Sequence, residues 1–370
     1  MAFGDRAGNT SSEQPEDEMA SGPIIVVGAN GTGSTLLRLM LDSHERIAIP
    51  GETGFLRLAA MHRWVPYWSL GGSWSASLGL TDEARDAALA GFYGGLLSAY
   101  AQSRGKPRWG EKTPFHVWHL QLARRMFPDC QVVGIVRHPG AVVSSQRRRF
   151  RRTYSHATRG WLRSTARLVH EAMALGDQCV LLRYEDLVST PEPAARALLE
   201  WLGEDWSEAV LDHHEIQASN VAEGFTDAGR AIDAAAVTEW EAHLRGDERR
   251  QVLAPTSTLA SFLGYDVDRT LPLGEFGDGL LVTGTALRAR YDARAVTIKR
   301  PRAGYADRPL RPPVPRARRT AVDLDDVTIR ALLQHRMARL AHRLPSGPRA
   351  RLNAWRRRSA LLDRLAGPRR

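Results

Sequence analysis

One short stretch near the amino end constrains the fold more than any other. It reads Pro23-Ile-Ile-Val-Val-Gly28-Ala-Asn-Gly-Thr-Gly33-Ser-Thr and continues as Leu36-Leu-Arg-Leu-Met-Leu41. Four consecutive β-branched residues leave no room for alternation between a core face and a wet face. Such a run suits a parallel strand covered on both sides. The glycines that follow let the main chain curl so that several N–H groups converge on one point. The amino end of the helical pattern from Ser34 adds its partial positive charge there. Strand, glycine turn and helix together predict an anion-binding turn in an α/β fold.

The rest of the chain supplies the other strands. Cys130–Arg137 (CQVVGIVR) is a second apolar run, ending at His138-Pro139-Gly140, with a helix expected from about Ala141. Cys179–Tyr184 (CVLLRY) is a third, followed by a helix at about 191–203. Residues 55–103 read as mainly helical, with a Gly/Ser/Trp-rich interruption at 69–79. Strands separated by helices imply right-handed crossovers. The expected class is α/β: a P-loop-type parallel sheet flanked by helices, with a basic C-terminal extension.

Three regions are expected. Residues 1–22 are polar and slightly acidic and read as a disordered lead, without the basic and apolar segments of a secretory signal. Residues 23–270 form the folded domain. Residues 271–370 carry 23 Lys/Arg against 8 Asp/Glu, so they account for the basic character of a chain whose net charge is +10. Within that extension 300–319 is rich in Pro and Arg and reads as a linker or extended arm, and 324–343 and 350–366 read as basic amphipathic stretches. No apolar run approaches the roughly 20 residues that span a bilayer. Two cysteines, Cys130 and Cys179, are too few for a disulfide framework and sit beside apolar runs. They read as buried free thiols, which fits a reducing cytosol.

The glycine turn departs from the nucleotide-triphosphatase pattern in one informative way. Ser34 stands where G-x-x-x-x-G-K-[ST] requires lysine, and the strand at 130–137 ends in arginine rather than a magnesium-binding aspartate. Both features disfavour an ATP or GTP hydrolase. Arg137, at the carboxyl end of its strand, faces the ligand crevice of an open α/β sheet. Ser145 follows eight residues later, in the second turn of the next helix, and can return to the same anion. Guanidinium with hydroxyl suits a terminal phosphate. Read alone, R-H-P-G is also a plain turn.

Five segments in order carry a family resemblance: Gly28–Leu37, Glu52, Glu111-Lys112-Thr113-Pro114, Ile135–Ser145 (IVRHPGAVVSS) and Leu182–Leu187 (LRYEDL). Together they resemble the sulfotransferases that use 3′-phosphoadenosine 5′-phosphosulfate, closest to the tyrosylprotein and bacterial glycan, lipid or natural-product branch. The resemblance runs over about residues 23–265. It implies a 5′-phosphosulfate turn built from Asn30, Gly31, Thr32, Gly33, Ser34 and Thr35. It implies a 3′-phosphate site at Arg137 and Ser145, with Tyr184 close by. Arg230, ten residues before Trp240, takes the place of a cofactor-binding lysine, and Trp240 reads as core. Glu52 falls on the general base, and Lys112 on the lysine that contacts the bridging oxygen or the transferring sulfonate. No metal is implied. Gly31 departs from the family, which usually carries lysine or arginine at that position.

Each residue also has a plainer reading. Glu52 suits the amino end of a helix around Phe55–Leu58. Lys112 suits a solvated surface. Glu111 is a reserve base, or the partner of an arginine. His44, His116, His119, His213 and His214 lack zinc spacing. His116 and His119 read as helix-face residues, with a histidine base as a fallback. Trp64, Tyr67, Trp68 and Trp74 suit an acceptor cleft or a core. Arg147–Arg152 suits the 3′-phosphate, an anionic acceptor or a solvated helix face. Trp355 and Arg356–Arg358 suit an anionic membrane surface. No nucleic-acid fold motif accompanies them.

The expected function is therefore sulfuryl transfer to an acceptor hydroxyl of a glycan, lipid or secondary metabolite, by a cytoplasmic enzyme with a membrane-associating arm. The rivals are a non-catalytic basic module, binding nucleotide or membrane on a degenerate P-loop, and an ATP-dependent kinase.

Overall fold

The computed structural model describes residues 22–62, 78–216 and 226–301, apart from positions 270, 272, 275, 277, 278 and 295. The readings placed on residues 1–21, on Trp64, Tyr67, Trp68 and Trp74, and on the arm after 301 lie outside the described residues. The chain divides into two units at Pro312 and Pro313, and the first holds everything described below.

The strands of the sheet are β1 (Ile24–Gly28), β2 (Ile47–Ala48), β3 (Arg108–Lys112), β4 (Gln131–Val136), β5 (Cys179–Arg183) and β6 (Leu281–Thr283). Their order is β2-β3-β1-β4-β5-β6. All neighbours pair in parallel except β6, which runs antiparallel along β5. The glycine-turn strand is thus central, with Ile25 aligned to Glu111 on one side and to Val132 on the other.

The main helices are α1 (Ser34–Ser43), α2 (Phe55–His62), α3 (Asp82–Ser103), α4 (Leu120–Met126), α5 (Pro139–Phe150), α6 (Tyr154–Leu175), α7 (Tyr184–Ser189), α8 (Pro191–Leu202), α9 (Gly246–Phe262) and α10 (Gly284–Ala293). They cover both faces of the sheet. Ile25 and Val27 of β1 join a core with Leu97, Leu120, Trp161, Leu168 and Phe262. Ile24 and Val26 join a second core with Leu37, Met40, Leu187, Leu198 and Leu202. Side chains alternate across a strand, so a strand with cores on both sides is apolar at every position. That is the physical reason for the unbroken Ile-Ile-Val-Val run. Cys130 and Cys179 are buried free thiols, as expected.

The last strand comes from beyond residue 270. β6 and α10, drawn from the stretch assigned to the basic extension, complete the sheet edge and pack on α6. Val282 and Leu287 are almost fully buried, so this part of the basic region contributes to the core. Among the described residues, no helix is long and apolar enough to cross a membrane.

The topology fixes where a ligand can sit. From β1 the chain moves toward β3, whereas from β4 it moves toward β5. Connections leaving two adjacent strands in opposite directions open a crevice at their carboxyl ends. The glycine turn follows β1, and Arg137 follows β4.

Candidate active site

The turn after β1 is shaped by two glycines. Gly31 and Gly33 both have φ of +93°, in the left-handed region that favours glycine. Thr32 closes the curl, its Oγ1 donating to the Ala29 carbonyl at 2.9 Å. Gly33 is the N-cap of α1 and no side chain caps that helix. The first N–H groups of a helix have no partner within it, so those of Ser34 and Thr35 remain for a ligand. Ser34 is buried and Thr35 half-buried. The Asn30 carbonyl accepts from Gln146 Nε2 at 2.7 Å, which ties the turn to α5.

Arg137 and Ser145 meet this turn directly. Arg137 Nη1 donates to the Gly31 carbonyl at 3.4 Å and Nη2 to Ala236 at 3.1 Å. Its guanidinium lies 3.9 Å from the centroid of the Tyr184 ring, a cation–π contact. Its Nε is buried without a partner. A β-carbon built on Gly31 would sit 3.4 Å from Ser145 Oγ, which places that hydroxyl beside the turn. A β-carbon on Gly33 would fall 2.2 Å from the Tyr184 ring. Tyr184 thus packs on the glycine turn and supports Arg137 from below. The adjacent cleft is lined by Arg137, Ser144, Ser145, Arg148, Glu239 and Trp240.

Glu185 anchors the turn that carries Arg137. Fully buried, it accepts from the His138 N–H and from Tyr265 Oη, each at 2.9 Å. Burial pushes its carboxyl above the ordinary value, while Arg137 and these two donors pull it back. His138 stacks on Trp240, and burial pulls its imidazole down to about 4. Trp240 is 3% exposed and belongs to the small core beside α5. It is a packing residue at the edge of the cleft.

The other pole lies at the end of β3. Lys112 Nζ is 2.6 Å from Glu52 Oε1 and 3.4 Å from Thr35 Oγ1. The lysine is 3% exposed, so the solvated reading of it fails. Burial lowers its pKa most, opposed by Glu52. Glu52 itself is half exposed. A carboxylate, a buried ammonium and the first turn of α1 therefore converge on one spot.

Arg230 is exposed. Glu111 is fully buried and, among the described residues, pairs with no arginine. Its partners are Thr53, Thr113 and His116. His116 and His119 occupy a single 3-10 turn and its cap, and both are buried rather than displayed on a helix face. From Arg147–Arg152, Arg148 reaches the cleft, where it pairs with Glu239 at 3.0 Å. Sequence reasoning missed Glu239 and also the pair Arg38 and Asp42, which hold Ile49 from α1. Their only signal is polarity inside an apolar helical stripe. Among the described residues no group of three or more His, Cys, Asp or Glu side chains is arranged to hold a metal.

Several known proteins resemble this chain over about two thirds of its length. Protein-tyrosine sulfotransferase 2 of Gallus gallus is 27% identical over 282 residues, covering 71% of this chain and 74% of the relative. Protein-tyrosine sulfotransferase 1 of Homo sapiens is 28% identical over 262 residues, 66% of this chain and 69% of the relative. Among solved structures, the sulfotransferase domain from the Synechococcus PCC 7002 olefin synthase is 25% identical. It covers 69% of this chain and 99% of its own, with a TM-score of 0.47. The family model described as "Sulfotransferase family" matches residues 23–208, a span that holds the glycine turn, Glu52, Lys112, Arg137, Ser145 and Tyr184. The chain belongs to the sulfotransferase family.

Proposed function

We propose that this chain transfers a sulfuryl group from 3′-phosphoadenosine 5′-phosphosulfate to an acceptor hydroxyl, with Glu52 as general base and Lys112 at the leaving group. The observation that carries the reading is the 2.6 Å approach of Lys112 Nζ to Glu52 Oε1 beside Thr35, at the amino end of α1. Family members use this donor, and the residues present fit it. The curled turn offers main-chain N–H groups and the Ser34 and Thr35 hydroxyls to the 5′-phosphate. Arg137, with its unpartnered buried Nε, and Ser145 suit the 3′-phosphate. Preorganised donors of this kind stabilise developing charge better than water does.

The chemistry needs no further group. Glu52 accepts the proton of the acceptor hydroxyl as its oxygen forms a bond to sulfur. The bond from sulfur to the bridging phosphate oxygen breaks. Lys112 and the helix amino end offset the charge left on that oxygen. The products are the sulfated acceptor and adenosine 3′,5′-bisphosphate. Gly31, where the family usually carries a cation, leaves Lys112 as the cation at the transfer point.

The curated relatives are protein-tyrosine sulfotransferases, which adds a tyrosine phenol to the glycan, lipid and metabolite hydroxyls expected from sequence. A tyrosine-containing peptide is the first acceptor to assay. The test pairs calorimetry with radiolabelled transfer. Adenosine 3′,5′-bisphosphate is expected to bind in EDTA and more tightly than ATP. Glu52→Gln is expected to keep that binding and to slow transfer about 10²- to 10⁴-fold, the range for loss of a general base. Near-full transfer by that variant refutes the base assignment. Tighter, magnesium-dependent binding of ATP instead favours the kinase reading.

A further inference from the structure

Glu111 precedes Lys112 on β3, and successive side chains of a strand point to opposite faces. Lys112 reaches the transfer point, whereas Glu111 turns into the protein and is 0% exposed. Its Oε1 accepts from the Thr53 N–H at 3.2 Å, from Thr53 Oγ1 at 2.9 Å and from Thr113 Oγ1 at 2.5 Å. Its Oε2 lies 2.7 Å from His116 Nδ1. The network continues one step further. Thr113 Oγ1 accepts from the Gly54 N–H at 3.2 Å, and His116 Nε2 accepts from the Leu56 N–H at 3.3 Å. All four residues after Glu52 are therefore tied to this carboxylate or to a group it holds.

Helix capping does not account for so much machinery. Thr53 Oγ1 already accepts from the Phe55 N–H at 3.3 Å, the local bond that starts α2. A fully buried carboxylate is expensive unless its oxygens are well supplied with donors. Here burial would raise the carboxyl, but His116, Thr113 and Thr53 together hold it below the usual carboxylate range. A short exposed side chain would cap the helix at far smaller penalty. What Glu111 adds is a fixed link between the segment next to Glu52 and the strand that carries Lys112. The other side of the loop is fixed as well. The Ile49 N–H donates to Asp42 Oδ1 at 2.8 Å, and Arg38 Nη1 donates to the Ile49 carbonyl at 3.1 Å. Pro50, Gly51 and Glu52 span the gap between these two anchors.

We infer that Glu111 is a positioning residue for the transfer: it locks Thr53 to β3, so that Glu52 is held against Lys112 at the reacting point. The role rests on the proposed function, because it acts through Glu52. Misplacing a reacting group by about 1 Å can slow a reaction about 10²-fold. Glu111→Gln is therefore expected to lower kcat about 10- to 100-fold, with binding of adenosine 3′,5′-bisphosphate unchanged. The decisive readout is a double-mutant cycle on kcat. If Glu111 works through Glu52, then Glu52→Gln/Glu111→Gln is no slower than Glu52→Gln alone. Thr53 provides a second route that leaves the buried carboxylate in place. Thr53→Val is expected to lower kcat in the same direction, and Thr53→Ser to restore most of that loss. Losses that multiply in the cycle, beside a crippled Glu52→Gln, overturn the positioning role alone. So does full-rate transfer by Thr53→Val. Full-rate transfer by Glu52→Gln overturns the base assignment and this role with it.

Discussion

Replacing Gly33 by alanine tests how tightly the phosphate turn, Tyr184 and Arg137 are built together. Two penalties follow from the geometry. At φ of +93° an L-residue is disfavoured by about 1–2 kcal/mol. The new β-carbon would also fall 2.2 Å from Tyr184 Cδ2 and 2.6 Å from Cε2, inside the ring's contact radius. Forcing the ring aside in a packed site adds about 1–3 kcal/mol, for a total of about 2–5 kcal/mol. Gly31→Ala separates the two effects. Its φ is the same, but its β-carbon meets Ser145 Oγ at 3.4 Å, an ordinary contact. That variant should lose only the backbone part, about 1–2 kcal/mol. Urea unfolding of the three proteins gives the difference, provided the slope is unchanged. Calorimetry with adenosine 3′,5′-bisphosphate should show that Gly33→Ala weakens binding, since a displaced Tyr184 no longer supports Arg137. Equal destabilisation by the two alanines would refute the claim that Tyr184 is packed on the turn.

Other consequences can be checked independently. His138 and His119 are both pulled down to about 4 by burial, against an ordinary 6.5. The unfolded chain therefore takes up protons between these values that the native state refuses, so stability falls as pH drops from about 6.5 to about 4, by up to ~3 kcal/mol for each; urea midpoints that are flat across this window would refute it. Lys112→Met is expected to reduce kcat about 10²- to 10³-fold with product binding retained. Because burial lowers the Lys112 pKa, the rate of the unmodified enzyme should fall as pH rises at a point below the ordinary lysine value of 10.5; an alkaline limb at or above that value refutes the assignment. The Cys130 thiol is pushed up to about 12 by burial, and Cys179 is raised as well. Both should resist a disulfide reagent at pH 8 and react on unfolding; rapid modification of the native protein would contradict their burial.

The amino-acid sequence determined the parts whose causes are local. A run of β-branched residues names a strand, and glycines before an uncapped helix name an anion turn. The match of β1, β4, β5 and α8 to their expected ranges follows from that, because each is coded by its own periodicity. The strand pattern likewise placed Arg137 at a strand end, whereas β3, which ends at Lys112, carried no such signal. The sequence did not announce β6, a three-residue strand inside a stretch whose charge pointed to an extension. It exists because β5 offers an edge and α6 a surface, and both are tertiary facts.

The supporting network was decided by tertiary structure alone. Glu111 looked like a reserve base because a carboxylate beside a functional lysine gives no sign of which face it takes. Only the alternation of β3, pinned by its pairing with β1, turns Lys112 toward the turn and Glu111 toward Thr53 and His116. Arg137 meets Gly31 across 106 residues, and Gln146 meets Asn30 across 116. Such contacts are products of strand order. Local patterning chose the chemistry that this chain can offer, and the parallel sheet, by bringing β1, β3 and β4 side by side, chose which groups would meet.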